Sequence, residues 1–596
     1  MPSFHNPYHF VPIPKPTPQP PIPGAAPRNR GSWPPHLTHD RFVTKTIVDG
    51  SAEKVFSGRI VCRLSVEEYL AIGGKQTKGT EEPLRPRIVE LFTIHGKPAI
   101  PASSLRGMLS ALAEAASNST LRVLENAPLR VREWNPQSHA MADVHPVSSV
   151  RDWFRKAGNH MVPLQQGDDR QTLTLAEQLF GFIEEPPTRS TPLNNNATLT
   201  LAGRLRPSNA LLLGNSPETQ TAVTKILASP KPPSPALYLT ALSPDGGFIS
   251  KRSAHQQKAR IQGRKFYLHR ERLTPADWHT AANNLPAEPD ETLHQKAQVS
   301  PLGPCVFWFH IDFNNLSKLE IELLCYVLRP AINFRHKLGM GKPLGLGKVE
   351  IDPMGLFLVD RLARYRDDPL NCGNRYHQIW RSEISGQWPA EYKREFTEIP
   401  TDPSAPSPLS LRDDYRNRIK TFYPTLFDAL LALELIGNPN AVRFPVHYPQ
   451  IANVAGADME TEQFKWWVEN EQMAGQFLRP LTPANTANFE VLPALEREAS
   501  QSPPSPPSPR QAPPPTAPAQ ADWIGPVECV FEKKEIGATP RLIFRVANRT
   551  GGQTPRGYLA SNADVSRLPQ PLQQFARIQL RYTTIDGKVV FDFPPA

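Results

Sequence analysis

The sequence predicts an α+β protein: a ferredoxin-like (RRM-like) body divided by a large insertion, followed by a small C-terminal β-barrel-like domain. Two blocks predict the body. A strand, a turn and a helix within residues 57–117 are echoed by a strand, a helix, a glycine-rich loop and a strand within residues 305–351. The proline-rich segment 501–521 predicts a linker before residues 522–596, where short apolar runs alternate with turn residues, as in a small barrel of OB-like type.

Residues 57–117 form the first half of the predicted body. Ser57–Ser65 (SGRIVCRLS) alternates apolar and polar residues, which is the period of a half-buried strand. Two serines follow Pro101, and the next apolar residues recur at the spacing of one helical face: Leu105, Met108, Leu109 and Leu112. We therefore expect a strand, a tight turn and a helix capped by serine.

The second half begins with Cys305–Phe313 (CVFWFHIDF), a candidate buried strand, and continues with the helical pattern of Leu316–Leu328. The predicted organisation is a proline-rich arm (1–56), the core (57–360) with an insertion at about 121–300, a mainly helical extension (361–500), the linker and the β-rich domain.

Composition limits the partners and the environment. The formal net charge of +10 and the pI near 9.3 favour a polyanionic partner. The five cysteines are far apart without a Cys-x-x-Cys pair, so we expect reduced thiols, no cysteine zinc site and no cofactor. Because no run of eighteen apolar residues occurs and prolines fill the first residues, a cytoplasmic protein without a membrane partner is expected.

The glycine loop, Phe334–Glu350 (FRHKLGMGKPLGLGKVE), is the strongest local signal for a ligand. Glycines let the main chain approach a ligand and point N–H groups at an anion, and lysines add charge; the candidates are Gly339, Gly341, Gly345, Gly347, Lys337, Lys342 and Lys348. The loop lacks the Walker and dinucleotide-binding patterns, so a polymeric phosphate backbone fits better than a nucleotide. A glycine-punctuated turn between helix and strand is the alternative.

A basic run at Lys251–Leu273 contains eight lysines and arginines against the single acid Glu271. Phe266 and Tyr267 lie within it, a combination typical of surfaces that track phosphates and stack bases. Its RNA-contact candidates are Arg264, Lys265 and Tyr267. The alternative is a basic loop with two aromatic residues in the core.

Two segments together resemble the RAMP superfamily of CRISPR-associated proteins, the ferredoxin-like RNA-binding subunits of type III effector complexes. Ile100–Gly107 (IPASSLRG) is similar to that family's I-P-[GA]-S-S-[LI]-[KR]-G block, and Gly339–Gly347 (GMGKPLGLG) to its C-terminal glycine-rich loop. Gly263–Tyr267 (GRKFY) and Pro7–Pro12 (PYHFVP) also look like a large-RAMP subfamily. The resemblance consists of scattered blocks within residues 1–490 and leaves the predicted barrel outside.

The resemblance implies that Ser103, Ser104, Arg106 and the glycine loop hold the backbone of a guide RNA. It also implies a role in antiviral defence, with target RNA and other type III subunits as partners. Target-cleaving members carry a catalytic aspartate between the first strand and the serine block. Here no aspartate lies between Ser57 and Ser103, and Glu81 and Glu82 are the nearby carboxylates of that loop. Target cleavage by this subunit is therefore not expected.

Two other functions stay open at this point. A metal-independent endoribonuclease that processes precursor guide RNA would use His269 with Tyr267 and Lys265, or His336 with Lys337. Glu82 is a further catalytic candidate. A general single-strand-binding scaffold would rest on the basic run and the barrel.

Overall fold

Three long strands from distant parts of the chain lie side by side in the computed structural model of this protein: Phe56–Val66, Cys305–Leu316 and Lys348–Leu358. The structure describes residues 3–14, 21–38, 43–124, 128–129, 132–135, 140–143, 148–186, 198–224, 237–239, 260–270, 280–281, 291–359, 376, 378–383, 389–393, 401–449, 451–452, 466, 470, 478, 481, 491–493, 495–496, 524–535, 541–547, 556–560, 567–568, 576–585 and 588–594. The predicted linker 501–521 and both ends of the basic run lie outside these residues.

The main elements are, in chain order, β1 (Tyr8–Pro12), β2 (Phe56–Val66), β3 (Lys97–Ile100), α1 (Ala102–Ala116), β4 (Leu205–Pro207), β5 (Ala210–Leu212), β6 (Gly263–Tyr267), β7 (Cys305–Leu316), α2 (Lys318–Leu328), β8 (Lys348–Leu358), α3 (Pro408–Phe422), α4 (Pro424–Ile436), β9 (Ile524–Glu535), β10 (Arg541–Val546), β11 (Arg556–Leu559), β12 (Arg577–Ile585) and β13 (Lys588–Asp592). They belong to two units, Met1–Glu498 and Ala499–Ala596.

The largest sheet described in the first unit has nine strands, and five of them run in the order β8, β2, β7, β5, β3 with every one of these pairings antiparallel. Ile60 of β2 lies opposite Ile311 on one side and Leu356 on the other. Both faces are covered, because Ile60 packs in the main core with α1 and α2, whereas Val61 packs in a second cluster with Trp308. The second face of β2 is mixed, because Val61 lies between the half-buried Arg59 and Arg63, which pair with Asp312 and Asp352.

N-cap residues determine where the helices α1 and α2 begin, and the N-cap of α1 differs from the predicted serine. Ser317 and Glu320 form a reciprocal capping box at the start of α2. In α1 the N-cap is Pro101 rather than a serine, and the carbonyl oxygen of Pro101 accepts from the N–H of Ser104 at 3.0 Å. Proline suits this position because it fixes the entry into the helix and has no N–H to leave unpaired. The serine side chains are consequently not used for capping.

The range predicted as an insertion contributes strands to the sheet. Both β4 and β5 pair with β7, and β5 also pairs with β3. Each of the two strands has three residues, which is too short for an apolar period to be visible in sequence.

The second unit contains a closed five-stranded barrel in the order β9, β10, β11, β13, β12, so the predicted barrel-like domain is confirmed. Its interior is apolar and includes Cys529, Phe544, Leu580 and Phe591. Across the described parts of both units, no helix has the length and apolar character that crossing a membrane requires.

Candidate nucleic-acid interface

A cavity of about 490 Å³ lies where three segments of the first unit meet: the first turn of α1, strand β6 and the glycine loop. More than a hundred residues separate the first turn of α1 from β6, and about seventy residues separate β6 from the glycine loop, so the fold brings distant parts of the chain together. Seven of the predicted RNA-contact residues line the cavity, namely Ser103, Ser104, Lys265, Tyr267, Lys337, Gly339 and Lys342.

The first turn of α1 presents two hydroxyl groups to the cavity. Leu105 and Leu109 are buried and anchor this turn on the core, whereas Ser103 is exposed and Ser104 half-buried. The N–H groups of Ala102 and Ser104 already have protein acceptors, Asn209 at 2.8 Å and Pro101 at 3.0 Å, but the N-terminus of a helix also carries the positive end of the helix dipole. This wall of the cavity therefore suits an anionic ligand.

Strand β6 contributes a lysine held among tyrosines. It pairs with β1, which sets Tyr8 opposite Tyr267. The Nζ atom of Lys265 lies 4.0 Å from the ring centre of Tyr8 and 5.0 Å from that of Tyr267, and it donates to the hydroxyl of Tyr238 at 3.2 Å. Burial lowers the pKa of Lys265 to about 8. The cavity thus has a cation whose charge depends on its surroundings, next to an aromatic face.

The glycine loop contributes two more lysines. The Nζ atom of Lys337 donates to the carbonyl oxygens of Gly345 at 3.1 Å and Leu346 at 3.3 Å. Burial lowers the pKa of Lys337 to about 7, although the carboxylate of Glu68 opposes the change. Burial also lowers the pKa of Lys342.

The loop's glycines are required mainly by contacts within the protein. The four glycines have φ values in the left-handed region: Gly339 (80°), Gly341 (66°), Gly345 (99°) and Gly347 (81°). A Cβ atom on Gly347 would lie 1.8 Å from the carbonyl oxygen of Leu338, and one on Gly339 would lie 2.3 Å from that of Ala71. Only glycine tolerates these positions, and only Gly339 of the four lines the cavity.

Several N–H groups of the loop bind protein carbonyls, in contrast to a loop that directs successive N–H groups at an anion. Met340 donates to Ala71, and Gly347 donates to Tyr69 at 2.8 Å. The glycine loop can therefore offer a ligand its lysines and only a short stretch of its main chain.

Three predicted cations have protein partners instead of a place in the cavity wall. The guanidinium of Arg106 donates to the carbonyl of Phe180. Arg264 is buried and donates to the carbonyl of Ser119, and burial lowers its pKa to about 10. The Nζ atom of Lys348 lies 2.9 Å from the carboxylate of Glu68.

The catalytic candidates have structural surroundings. His269 and His336 are both buried. The Nε2 atom of His269 lies 2.9 Å from the main-chain oxygen of Arg335, and that of His336 lies 2.9 Å from the main-chain oxygen of Val327. Burial lowers the pKa of His336 to about 4 and that of His269 well below its ordinary value, so both rings are neutral near pH 7. Glu82 is exposed and is not among the residues that line the cavity.

Sequence reasoning identified Tyr267 but missed Tyr8 and Tyr238 as aromatic partners of Lys265. Tyr8 belongs to a segment predicted as an extended arm, and in the structure it is buried in β1. Tyr238 comes from the irregular region before β6. The run Tyr8-His9-Phe10-Val11 carries a signal for the first of them, since tyrosine, phenylalanine and valine favour strands.

Comparison with known proteins gives one family match. The family model of the RAMP superfamily matches residues 63–350, a range that contains all three segments of the cavity. No curated protein matches this chain.

Several solved structures are similar to parts of it, two of which have the following identity and coverage. The crystal structure of Thermofilum pendens Csc2 has 10% identity and a TM-score of 0.22, over 63% of this chain and 82% of the other. A Type IV-B CRISPR complex has a chain with 11% identity and a TM-score of 0.19, over 52% of this chain and 100% of the other.

Proposed function

We propose that this chain is a guide-RNA-binding RAMP subunit of a type III CRISPR effector complex that does not itself cleave target RNA. The observation that carries the proposal is the cavity, in which the serine block, β6 and the glycine loop meet within the range similar to the RAMP superfamily. Antiviral defence, target RNA and the other effector subunits are part of the same proposal.

The chemistry of the cavity fits a single-stranded RNA backbone. Lys342 and the first turn of α1 offer positive charge and hydroxyl donors to a phosphate, and Tyr267 offers an aromatic surface to a base. A single-stranded segment can direct both its phosphate and its base into one such cavity, whereas the bases of a duplex are already stacked and paired.

The strand order supports a ferredoxin-like body. Four strands follow the antiparallel order β8, β2, β7, β5, and α1 and α2 pack together in the core on one face. This arrangement fits two β-α-β halves whose first strands, β2 and β7, are neighbours at the centre.

The non-cleaving part of the proposal rests on the missing aspartate before the serine block and on the two buried histidines.

One observation favours a second candidate, the metal-independent endoribonuclease. The pKa of Lys337 is lowered to about 7, a value suited to general acid–base catalysis, and the residue lines the same cavity as Tyr267.

The test is to purify the protein from its native host and to sequence the RNA bound to it. We expect RNAs that carry CRISPR repeat sequence; a random sample of cellular RNA would contradict the proposal. Labelled repeat RNA should then bind to the purified protein without being cut. Cleavage in EDTA that is lost in Lys337→Ala would favour the endoribonuclease.

A matched pair of variants connects the binding to the cavity. Lys342→Ala should weaken the binding of repeat RNA roughly fivefold, the usual scale of one charge-assisted contact. Lys420→Ala replaces an exposed lysine of α3 that is not among the cavity-lining residues, and it should bind RNA as the wild type does.

A further inference from the structure

A β-hairpin at residues 73–91 has its root at the cavity. Its two antiparallel strands are Gly73–Gln76 and Arg87–Leu91. Gln76 lines the cavity and lies opposite Val89. Val89 is buried in an apolar cluster against which Met340 of the glycine loop packs. The hairpin is therefore anchored beside the glycine loop by this pair of residues, and its other residues lead away from the cavity toward the tip.

Regular cross-strand pairing continues from the anchored pair toward the tip. Thr80 and Arg85 exchange two main-chain hydrogen bonds, at 3.0 Å and 2.9 Å. These two residues lie the same number of positions beyond the anchored pair on both strands of the hairpin. Lys78 therefore lies level with Arg87, halfway between the two pairs.

Beyond its root, the hairpin carries three cations on one face. Paired residues share a face, and side chains two positions apart along a strand point the same way. Lys78, Arg85 and Arg87 therefore lie on the face of the anchored pair, and we name these three residues the basic face. All three are exposed, and among the residues that the structure describes none of them has a carboxylate partner.

The acids of the hairpin do not neutralise this face. Glu90 points to the opposite face, and Glu81 and Glu82 belong to the tip. Lys78 and Arg87 are thus cross-strand neighbours of like charge, an arrangement that destabilises a sheet. A phosphate bound by both cations would convert this repulsion into attraction for the ligand.

We propose that the basic face holds the phosphates of single-stranded RNA where the RNA leaves the cavity. Arg85 and Arg87 each match a phosphate with two parallel N–H donors, and Lys78 adds a point charge. At about 3.3 Å per residue, the face extends about 13 Å from Gln76 to Thr80, so an RNA strand that leaves the cavity meets it at once. This inference rests on the function proposed for the cavity and adds the path by which the RNA continues.

Variants on the two faces of the hairpin test the proposal. Lys78→Gln with Arg87→Gln removes two cations of the basic face. With labelled oligouridine of about twelve nucleotides, fluorescence anisotropy should show roughly tenfold weaker binding than the wild type. The slope of log affinity against log salt concentration should flatten by about 1.4, because two contacts of about 0.7 each are lost.

The matched control removes the same charge elsewhere. It is Lys75→Gln with Lys97→Gln: Lys75 precedes Gln76 and points to the opposite face of the hairpin, and Lys97 lies outside the hairpin. Neither residue is among those that line the cavity. The control should bind the oligouridine as the wild type does. Because all four substituted residues are exposed, both variants should fold, and denaturant unfolding checks this.

The cavity variant Lys342→Ala separates this inference from the proposed function. If Lys342→Ala weakens binding and the folded Lys78/Arg87 variant does not, the basic face lies off the RNA path, as expected if it receives an acidic protein segment, and the proposal is overturned. An equal loss in the control variant would also overturn it, since net charge alone would explain the effect. If only the Lys78/Arg87 variant binds more weakly, the basic face is supported and the function proposed for the cavity fails.

Discussion

The cavity of the first unit and the barrel of the second both carry cations, but in different surroundings. Lys265 and Lys337 of the cavity are enclosed, and their pKa values are lowered to about 8 and about 7. The barrel carries exposed arginines such as Arg577, and arginine keeps its charge at every physiological pH. The difference means that the lysines of the cavity gain protons when they bind phosphate, whereas an arginine carries its charge before any ligand binds.

The largest expected effect tests the cavity through the backbone of the glycine loop. In Gly347→Ala the new Cβ would meet the carbonyl of Leu338 at 1.8 Å, so the glycine loop cannot keep its conformation. We expect a loss of about 3 kcal/mol or more in the free energy of unfolding and a loss of repeat-RNA binding. Denaturant unfolding and fluorescence anisotropy with labelled repeat RNA measure the two effects.

The matched control is Gly303→Ala, where the new Cβ has a neighbour at an ordinary 3.6 Å. It should change both measurements little. Repeat-RNA binding that survives in folded Gly347→Ala would show that the loop conformation is not needed for binding.

The second effect is a pH dependence confined to the cavity. As the pH rises through about 7 and then about 8, Lys337 and Lys265 lose their protons in the free protein. The RNA affinity of the cavity should therefore fall with rising pH, by up to about tenfold per pH unit for each lysine coupled to a phosphate. Fluorescence anisotropy with labelled repeat RNA between pH 6 and pH 9 measures this dependence.

The same shift has a consequence for stability with a defined sign. The pKa of Lys337 falls from its ordinary 10.5 to about 7 on folding, so the unfolded chain binds the extra proton between these values. Without RNA, the contribution of Lys337 to the free energy of unfolding should rise with pH across this window. For the RNA-binding prediction of the previous paragraph, an affinity that does not change with pH would indicate that the lysines do not contact phosphate.

A third, smaller effect concerns salt. Replacing both Lys265 and Lys342 with alanine removes two phosphate contacts from the cavity. For single-stranded RNA, the slope of log affinity against log salt concentration is about 0.7 per phosphate contact. The loss of two contacts should therefore flatten this slope by about 1.4, with little change in sequence preference. A slope equal to that of Lys420→Ala would exclude the two lysines as phosphate contacts.

The smallest effect on RNA binding is expected for Arg106→Gln. The guanidinium of Arg106 donates to the carbonyl of Phe180, which also accepts from Arg122 at 3.1 Å, so the change should cost only about 1 kcal/mol of stability. RNA affinity should change less than about twofold, well below the effect of a lost charged contact. A large loss of affinity at unchanged stability would mean that Arg106 turns to the RNA when it binds.

Periodic features of the chain could be predicted from the sequence, and the partners of its charges could not. The strand β2, the helix α2 and the barrel follow from apolar patterns that repeat over many residues. The sequence also identified the glycine loop, but Gly347 is glycine because Leu338 is close, a contact that exists only in the fold. Likewise, Lys342 and Lys348 look equivalent in sequence, and only the structure pairs Lys348 with Glu68 while leaving Lys342 on the cavity.

The pairing of β1 with β6 also determines when the cavity can form during synthesis. Tyr8 leaves the ribosome about 260 residues before its partner Tyr267, and the glycine loop follows later still. Strand β2 must likewise wait for β7 and β8. Contacts between such distant segments form slowly because a long loop must close first. Apolar β1 and β2 are therefore exposed until these partners have been made, and this protein should depend on chaperones until residue 350 has emerged.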